Sequence, residues 1–182
     1  VLSALGHLKH LKKRRPEMIV AVIGCMAQRL GEELLKHEAV NVVAGPGQIH
    51  EVPKLIEEAM SEGRKRIRVS GKIRTPVWEP SVQAEDAALD DFETAYDSDR
   101  NHIKSQAFIR AMRGCNNFCS YCIVPYVRGP EISRPPAAIL EQARKLADEG
   151  IRQITLLGQT VNSYAYRQDG VLWTLADLLE KV

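Results

Sequence analysis

The apolar positions of this chain fall into short unbroken runs separated by stretches with a helical rhythm. Met18 to Ile23 (MIVAVI) is continuous, as expected of a strand buried on both faces of a parallel sheet. Gly24-Cys25 ends it. From about Ala27 to His37 the spacing becomes helical, with Leu30, Leu34 and Leu35 on one face. Asn41 to Ala44 (NVVA) reads as a second short strand closed by Gly45-Pro46-Gly47. Val52, Leu55, Ile56 and Met60 then predict an amphipathic helix from about Ile49 to Ser61. Strands and helices alternating in this way predict a parallel α/β layer over residues 1–63.

Gly63 to Ser105 breaks the pattern. It is first basic and then acidic, with Glu85, Asp86, Asp90, Asp91, Glu93, Asp97 and Asp99 close together and Pro76 and Pro80 interrupting. Large apolar residues are sparse, so residues 64–105 are expected to be an inter-domain linker with one strand near Ile67 to Val69 and a solvated acidic loop. The rhythm resumes at Ala107, and residues 106–182 read as a second α/β unit. Phe108 to Met112 is a strand. Arg134-Pro135-Pro136 opens a helix with Ser133 as its N-cap, Ile139, Leu140, Ala143 and Leu146 as its buried stripe and Gly150 as its end. Arg152 to Leu157 is the next strand, running into Gly158-Gln159-Thr160-Val161-Asn162, and a closing helix is expected from near Leu172. Strand, helix, strand predicts two parallel strands joined by a right-handed crossover. The loops after both strands then share the sheet edge where α/β folds place their ligands.

Composition adds few constraints. With 182 residues, 45% of them apolar and 26% charged, the chain has the make-up of one ordinary globular domain or two small ones. It begins with Val and stops inside the amphipathic run Leu172 to Val182, so a piece of a longer protein is expected. No apolar stretch approaches the length needed to span a bilayer and no signal-peptide pattern is present, which predicts a cytoplasmic protein without a membrane partner. The net charge of +2 hides an asymmetry. Lys and Arg outnumber Asp and Glu 14 to 8 through Trp78, and acids lead 15 to 11 afterwards. The run Lys12-Lys13-Arg14-Arg15 is either a draw for RNA phosphates or the solvated end of a helix.

The chemistry lies in Arg113-Gly114-Cys115-Asn116-Asn117-Phe118-Cys119-Ser120-Tyr121-Cys122. Three cysteines spaced C-x3-C-x2-C can converge on one metal centre, but they supply three ligands rather than four. A [4Fe–4S] cluster held so keeps one iron open to a small molecule. Structural zinc takes four ligands; here only Cys119 and Cys122 form a C-x2-C pair, and the nearest histidine, His102, lies upstream in a polar stretch. A disulfide framework fits poorly, because the cysteines are few and no secretory signal precedes them. The loop Gly158 to Asn162 is either part of the same site or a plain strand-to-helix connection. Cys25 alone reads as a small residue at a strand end.

Arg113 to Pro135 (RGCNNFCSYCIVPYVRGPEISRP) and Leu156 to Tyr164 (LLGQTVNSY) closely resemble the methylthiotransferase group of the radical S-adenosylmethionine (SAM) enzymes. Gly24 to Arg29 (GCMAQR) and Ala44 to Gln48 (AGPGQ) resemble that family's N-terminal domain. The resemblance implies an α/β fold, with a methylthiotransferase-type N-terminal domain followed by the start of a radical SAM partial (β/α) barrel. It implies that Cys115, Cys119 and Cys122 hold a radical-forming [4Fe–4S] cluster and that Tyr121 lies near the adenine of SAM. Gln159 and Asn162 would contact SAM or substrate. Cys25 matches the third ligand of the family's auxiliary [4Fe–4S] cluster, whose other two ligands are not in this chain, so the second cluster is not expected to form here. The family's RNA-binding C-terminal domain is also not in this chain. The activity implied is transfer of a methylthio group to carbon 2 of N6-isopentenyladenosine beside a tRNA anticodon. The implied partners are tRNA and an electron donor such as flavodoxin or ferredoxin, and a monomer is expected. Relatives that modify a ribosomal-protein aspartate or a threonylcarbamoyl adenosine are the near alternatives. A non-enzymatic, metal-stabilised RNA-binding module is the distant one.

Overall fold

The structure, a computed structural model, describes residues 2–70, 88–91 and 105–182. His102 and most of the expected linker, including Pro76, Pro80, Glu85, Asp86, Glu93, Asp97 and Asp99, lie outside the described residues. The chain divides into two compact units, one built mainly from residues 2–70 and the other mainly from 105–182.

In the first unit β1 (Ala21–Ile23), β2 (Val42–Ala44) and β3 (Arg66–Arg68) form a parallel sheet in that order, with Ala21 opposite Val42 and Val42 opposite Arg66. β2 is buried on both faces, and its alternating side chains feed two cores. Val43 packs on one side with Leu5 of α1 (Leu2–Arg14), Ala27 of α2 (Cys25–Leu30) and Leu34 of α3 (Glu32–Leu35). Val42 and Ala44 pack on the other with Val52, Leu55 and Ala59 of α4 (Val52–Glu62). The helix expected over 27–37 is broken in two, because Gly31 adopts φ +47 and ψ −117, outside the helical region. The helix expected from Ile49 begins at Val52, after a 3₁₀ turn over Pro46–Glu51. The basic run after Leu11 lies at the end of α1, where Lys12, Lys13 and Arg14 oppose the negative pole of the helix dipole. Lys12 is partly buried there: its Nζ donates to Ala39 O at 3.0 Å and also to Asn41 Oδ1. Burial, reinforced by Lys65, lowers its pKa.

A helical turn, α5 (88–91), brings Asp90 into the second unit. There β4 (Gln106–Arg110) and β7 (Gln153–Leu157) pair in parallel, Phe108 opposite Thr155, and α7 (Pro136–Asp148) connects them and covers one face. The core joins Ala107 and Ile109 of β4 to Ile139, Ala143 and Leu146 of α7. Phe108 and Leu157 on the opposite face stay 54% and 45% exposed. The expected Phe108–Met112 strand splits after Arg110: β5 (Met112–Arg113) turns to pair antiparallel with β6 (Ile132–Ser133). Ser133 therefore sits in a strand rather than capping α7, and its Oγ accepts from Ala165 N at 3.1 Å; Pro135 occupies the N-cap position. The closing helix expected from Leu172 is corrected as well. A hairpin of β8 (Ala165–Gln168) and β9 (Val171–Thr174) precedes α8 (Leu175–Leu179), whose N-terminus is fixed by a capping box between Thr174 and Asp177. Asp169 at φ +50 and Gly170 at φ +80 make the two-residue turn.

The acidic cluster was expected to be a solvated loop, and Asp90 departs from that expectation. It pairs with Arg110 through its Oδ1, which also lies 2.9 Å from Arg134 Nε, close for an ion pair but out of line for a hydrogen bond. Arg134 is 1% exposed, and its Nη1 donates to Arg110 O and Gln142 Oε1, both at 2.9 Å. Tyr164 OH donates to Arg134 O at 2.8 Å. Burial, reinforced by Tyr166 and partly offset by Arg134, pushes the Tyr164 phenol well above its ordinary value.

Candidate functional site

The segment from Gly114 to Glu131 leaves the carboxyl end of the β4–β5 path and returns to β6, so the antiparallel pair of β5 and β6 clasps its base. Gly114 is required at the start. Its φ is +74, and a Cβ there would lie 1.8 Å from Pro130 O. Cys115 N donates to Gly129 O at 3.1 Å, continuing the clasp by one more bond. Beyond it the loop opens outward: Asn116 through Tyr121 are all exposed, and Tyr121 is 91% exposed. Phe118 holds φ +46, a left-handed conformation that costs a non-glycine residue about 1–2 kcal/mol. Cys122 N donates to Cys119 O at 2.9 Å, which turns the chain so that the two cysteines follow one another round a tight bend. Helix α6 (Val124–Arg128) then leads back to the clasp.

All four cysteines are free thiols; Cys119 is exposed and Cys115, Cys122 and Cys25 are half-buried. The second loop, Gly158 to Asn162, follows β7 directly, at the same end of the parallel pair. The two loops meet. Cys115 Sγ lies 3.5 Å from Thr160 Oγ1. Below that contact, Ser163 Oγ reaches Thr160 O at 2.8 Å and Glu131 Oε2 at 3.0 Å. Glu131 also exchanges bonds with Asn116: Asn116 N donates to Glu131 Oε1 at 3.4 Å, and Glu131 N donates to Asn116 Oδ1 at 3.1 Å. The structure thus joins the cysteine loop to the strand-end loop. Gln159 and Asn162 are exposed beside the contact, while Cys25 begins α2 in the first unit.

Thr160, Glu131 and Ser163 were not singled out by sequence reasoning. Thr160 had a signal, its central place in a loop already suspected. Glu131 and Ser163 lay within the two stretches that carry the resemblance, but their contact with one another, 32 residues apart, had no local signal.

Among the described residues no three Cys, His, Asp or Glu side chains converge as ligands of a single ion. An iron–sulfur cube takes each thiolate at a different iron, so its ligands stand farther apart than those of one ion. Three unpaired thiols on a loop clasped at its base and open at its tip fit such a group.

Residues 109–176 match the radical SAM superfamily model. Those residues form a radical SAM domain. Over its whole length the chain is also similar to tRNA-2-methylthio-N(6)-dimethylallyladenosine synthases. It is 40% identical to that of Staphylococcus epidermidis (strain ATCC 35984), 40% to that of Porphyromonas gingivalis (strain ATCC 33277) and 41% to that of Moorella thermoacetica. It covers 33%, 36% and 38% of those proteins, respectively, so it spans about a third of the length of its curated relatives. Among the described residues, no helix is long and apolar enough to cross a membrane.

Proposed function

We propose that this chain carries the SAM-activating part of a tRNA methylthiotransferase, acting at carbon 2 of N6-isopentenyladenosine (the dimethylallyladenosine of its relatives' names) beside the anticodon. The observation that carries the reading is the junction of the two loops, with a free thiol of the C-x3-C-x2-C set against the Gly-Gln-Thr-Val-Asn loop at 3.5 Å. The whole-length similarity to synthases of that product supports the substrate. In this reading the first unit belongs to the methylthiotransferase-type N-terminal domain, which takes in β3 from the start of the expected 64–105 linker, and 106–182 begin the partial barrel. α7 then lies outside that barrel, and Phe108 and Leu157 face its interior.

Cys115, Cys119 and Cys122 would hold the radical [4Fe–4S] cluster, leaving one iron for the amino and carboxylate groups of SAM. A cluster held there would supply the single electron that radical chemistry on SAM requires. The chain's own residues bind and orient. Tyr121, exposed next to the last ligand, offers a face for the adenine. Gln159 and Asn162 offer amide donors and acceptors at the strand end where SAM would lie. Phe108 and Leu157 offer an apolar wall that limits water near a reactive radical. Cys25 would be one ligand of an auxiliary cluster whose further ligands lie outside this chain. The partners of this reading are tRNA and an electron donor of the flavodoxin or ferredoxin type, in the cytoplasm.

Anaerobic reconstitution with iron and sulfide, followed by metal analysis and EPR of the reduced protein, tests it. About four irons per chain and a spectrum that changes on adding SAM are expected, both lost in Cys115→Ala. Stoichiometric zinc with no cluster signal would overturn the reading.

A further inference from the structure

We propose that Thr160 is a positioning residue whose hydroxyl donates a hydrogen bond to the Cys115 sulfur and thereby raises the reduction potential of a cluster bound there. The inference rests on Cys115 being a cluster ligand, as read above.

The contact itself is a 3.5 Å Oγ1–Sγ approach. With a protonated cysteine either atom can donate. A metal-bound thiolate carries no proton, so in the loaded protein only Thr160 can donate. A hydrogen bond to a ligand sulfur draws electron density from it. It stabilises the reduced cluster, which carries one more negative charge, more than the oxidised one.

The surroundings hold the hydroxyl in place. Gly158 anchors the start of the loop against β5, since a Cβ there would stand 2.6 Å from Met112 Cγ. At the other end Thr160 O is reached by Ser163 Oγ at 2.8 Å, and Ser163 in turn reaches Glu131 Oε2 at 3.0 Å. Glu131 grips Asn116, the residue after Cys115, through both its carboxylate and its backbone N–H. Cys115, Asn116, Glu131, Ser163 and Thr160 therefore form a circuit of contacts, with the single Ser163 proton shared between Thr160 O and Glu131 Oε2 and the S···O contact as the last link. A hydroxyl held in a ring of five residues has less freedom to turn away than one at the tip of a free loop. Hydrogen bonds to cluster sulfurs are one of the protein's means of setting the potential, and this ring supplies one at a defined ligand.

The test compares wild type, Thr160→Val, Thr160→Ser and Ser163→Ala, each reconstituted anaerobically, by iron content and by EPR-monitored redox titration. The expected result is a midpoint shifted to more negative potential in Thr160→Val, restored in Thr160→Ser. A smaller shift of the same sign is expected in Ser163→Ala, which keeps the hydroxyl and loosens the ring. An unmoved midpoint in Thr160→Val overturns the proposal while leaving Cys115 as a ligand. If Thr160→Val takes up no iron, Ser163→Ala decides: a negative shift supports the proposal and an unmoved midpoint overturns it. A wild type that holds no cluster overturns the earlier reading instead, and the inference falls with it.

Discussion

At the carboxyl ends of β1 to β3 the polar side chains turn on one another, whereas at the ends of β4 and β7 they hold a loop of thiols open. In the first unit Gln28 Nε2 donates to Ser70 O at 2.9 Å and its Oε1 accepts from Ser70 N at 3.0 Å, while Gln48 Nε2 donates to Ser70 Oγ at 2.8 Å. Those amides tie the strand ends together and leave Cys25 as the one thiol of that edge. In the second unit the polar contacts lie at the base of the loop, at Glu131 and Ser163, and Cys119 and Tyr121 are exposed toward its tip. Both edges have the topology that hosts ligands in α/β folds. The difference is where the hydrogen bonds are used: across the edge they close it, beneath a loop they brace the loop and leave its tip available.

The comparison breaks most visibly at the buried charges. Arg134→Met removes a cation beside Asp90 and the donor to Arg110 O and Gln142 Oε1, and is expected to destabilise the second unit by about 3–5 kcal/mol. Its counterpart in the first unit is Asn41→Ala, which takes an acceptor from Val20 N (3.1 Å) and from Lys12 Nζ, for about 1–3 kcal/mol. Denaturant unfolding of both variants measures the contrast, and equal losses would erase it.

A finer contrast concerns two glycines. Gly114→Ala places a Cβ 1.8 Å from a backbone oxygen of the clasp, whereas Gly31→Ala meets only the tip of Ile67 at 3.8 Å. Both put an alanine at a positive φ, which costs about 1–3 kcal/mol, so the added clash means Gly114→Ala should lose more stability, and iron binding with it. Equal thermal shifts would show that the base of the loop yields freely.

The smallest effect is read by pH. Because burial raises the folded-state pKa of Tyr164, its contribution is complete below the ordinary phenol value near 10 and is lost as the pH rises above it. The second unit should therefore weaken in alkali, and Tyr164→Phe should flatten that dependence. An alkaline loss unchanged in the variant would assign it to other groups.

Much of the scaffold was legible in the chain. The stripe Ile139, Leu140, Ala143 and Leu146 announced α7, and the run Arg152 to Leu157 announced β7 to within a residue, because each carries its period in the sequence alone. What stayed hidden depended on partners distant in sequence or on single torsions. Asp90 looked like one more solvated acid until Arg110 and Arg134 closed on it. Gly31 gave no sign that it would break a helix. The Asp169-Gly170 turn was visible in principle, since Asp-Gly between apolar runs is a strong hairpin signal, and it was overridden by the helical look of the residues that follow. In the site, the three cysteines and the loop beyond β7 were read from spacing and strand order. The ring through Glu131 and Ser163 was not, because its links from Glu131 to Ser163 and to Asn116 span 32 and 15 residues.

The four-residue clasp of β5 and β6 also acts on the entropy of the segment between its arms. Bringing the ends of a free loop of that length together costs about 2–3 kcal/mol in chain entropy. Here the scaffold meets that cost during folding, before any ligand arrives. A metal group bound by the loop would be spared it, which corresponds to roughly a hundredfold in affinity. The same three cysteines on an unclasped peptide should therefore be a far weaker trap for iron.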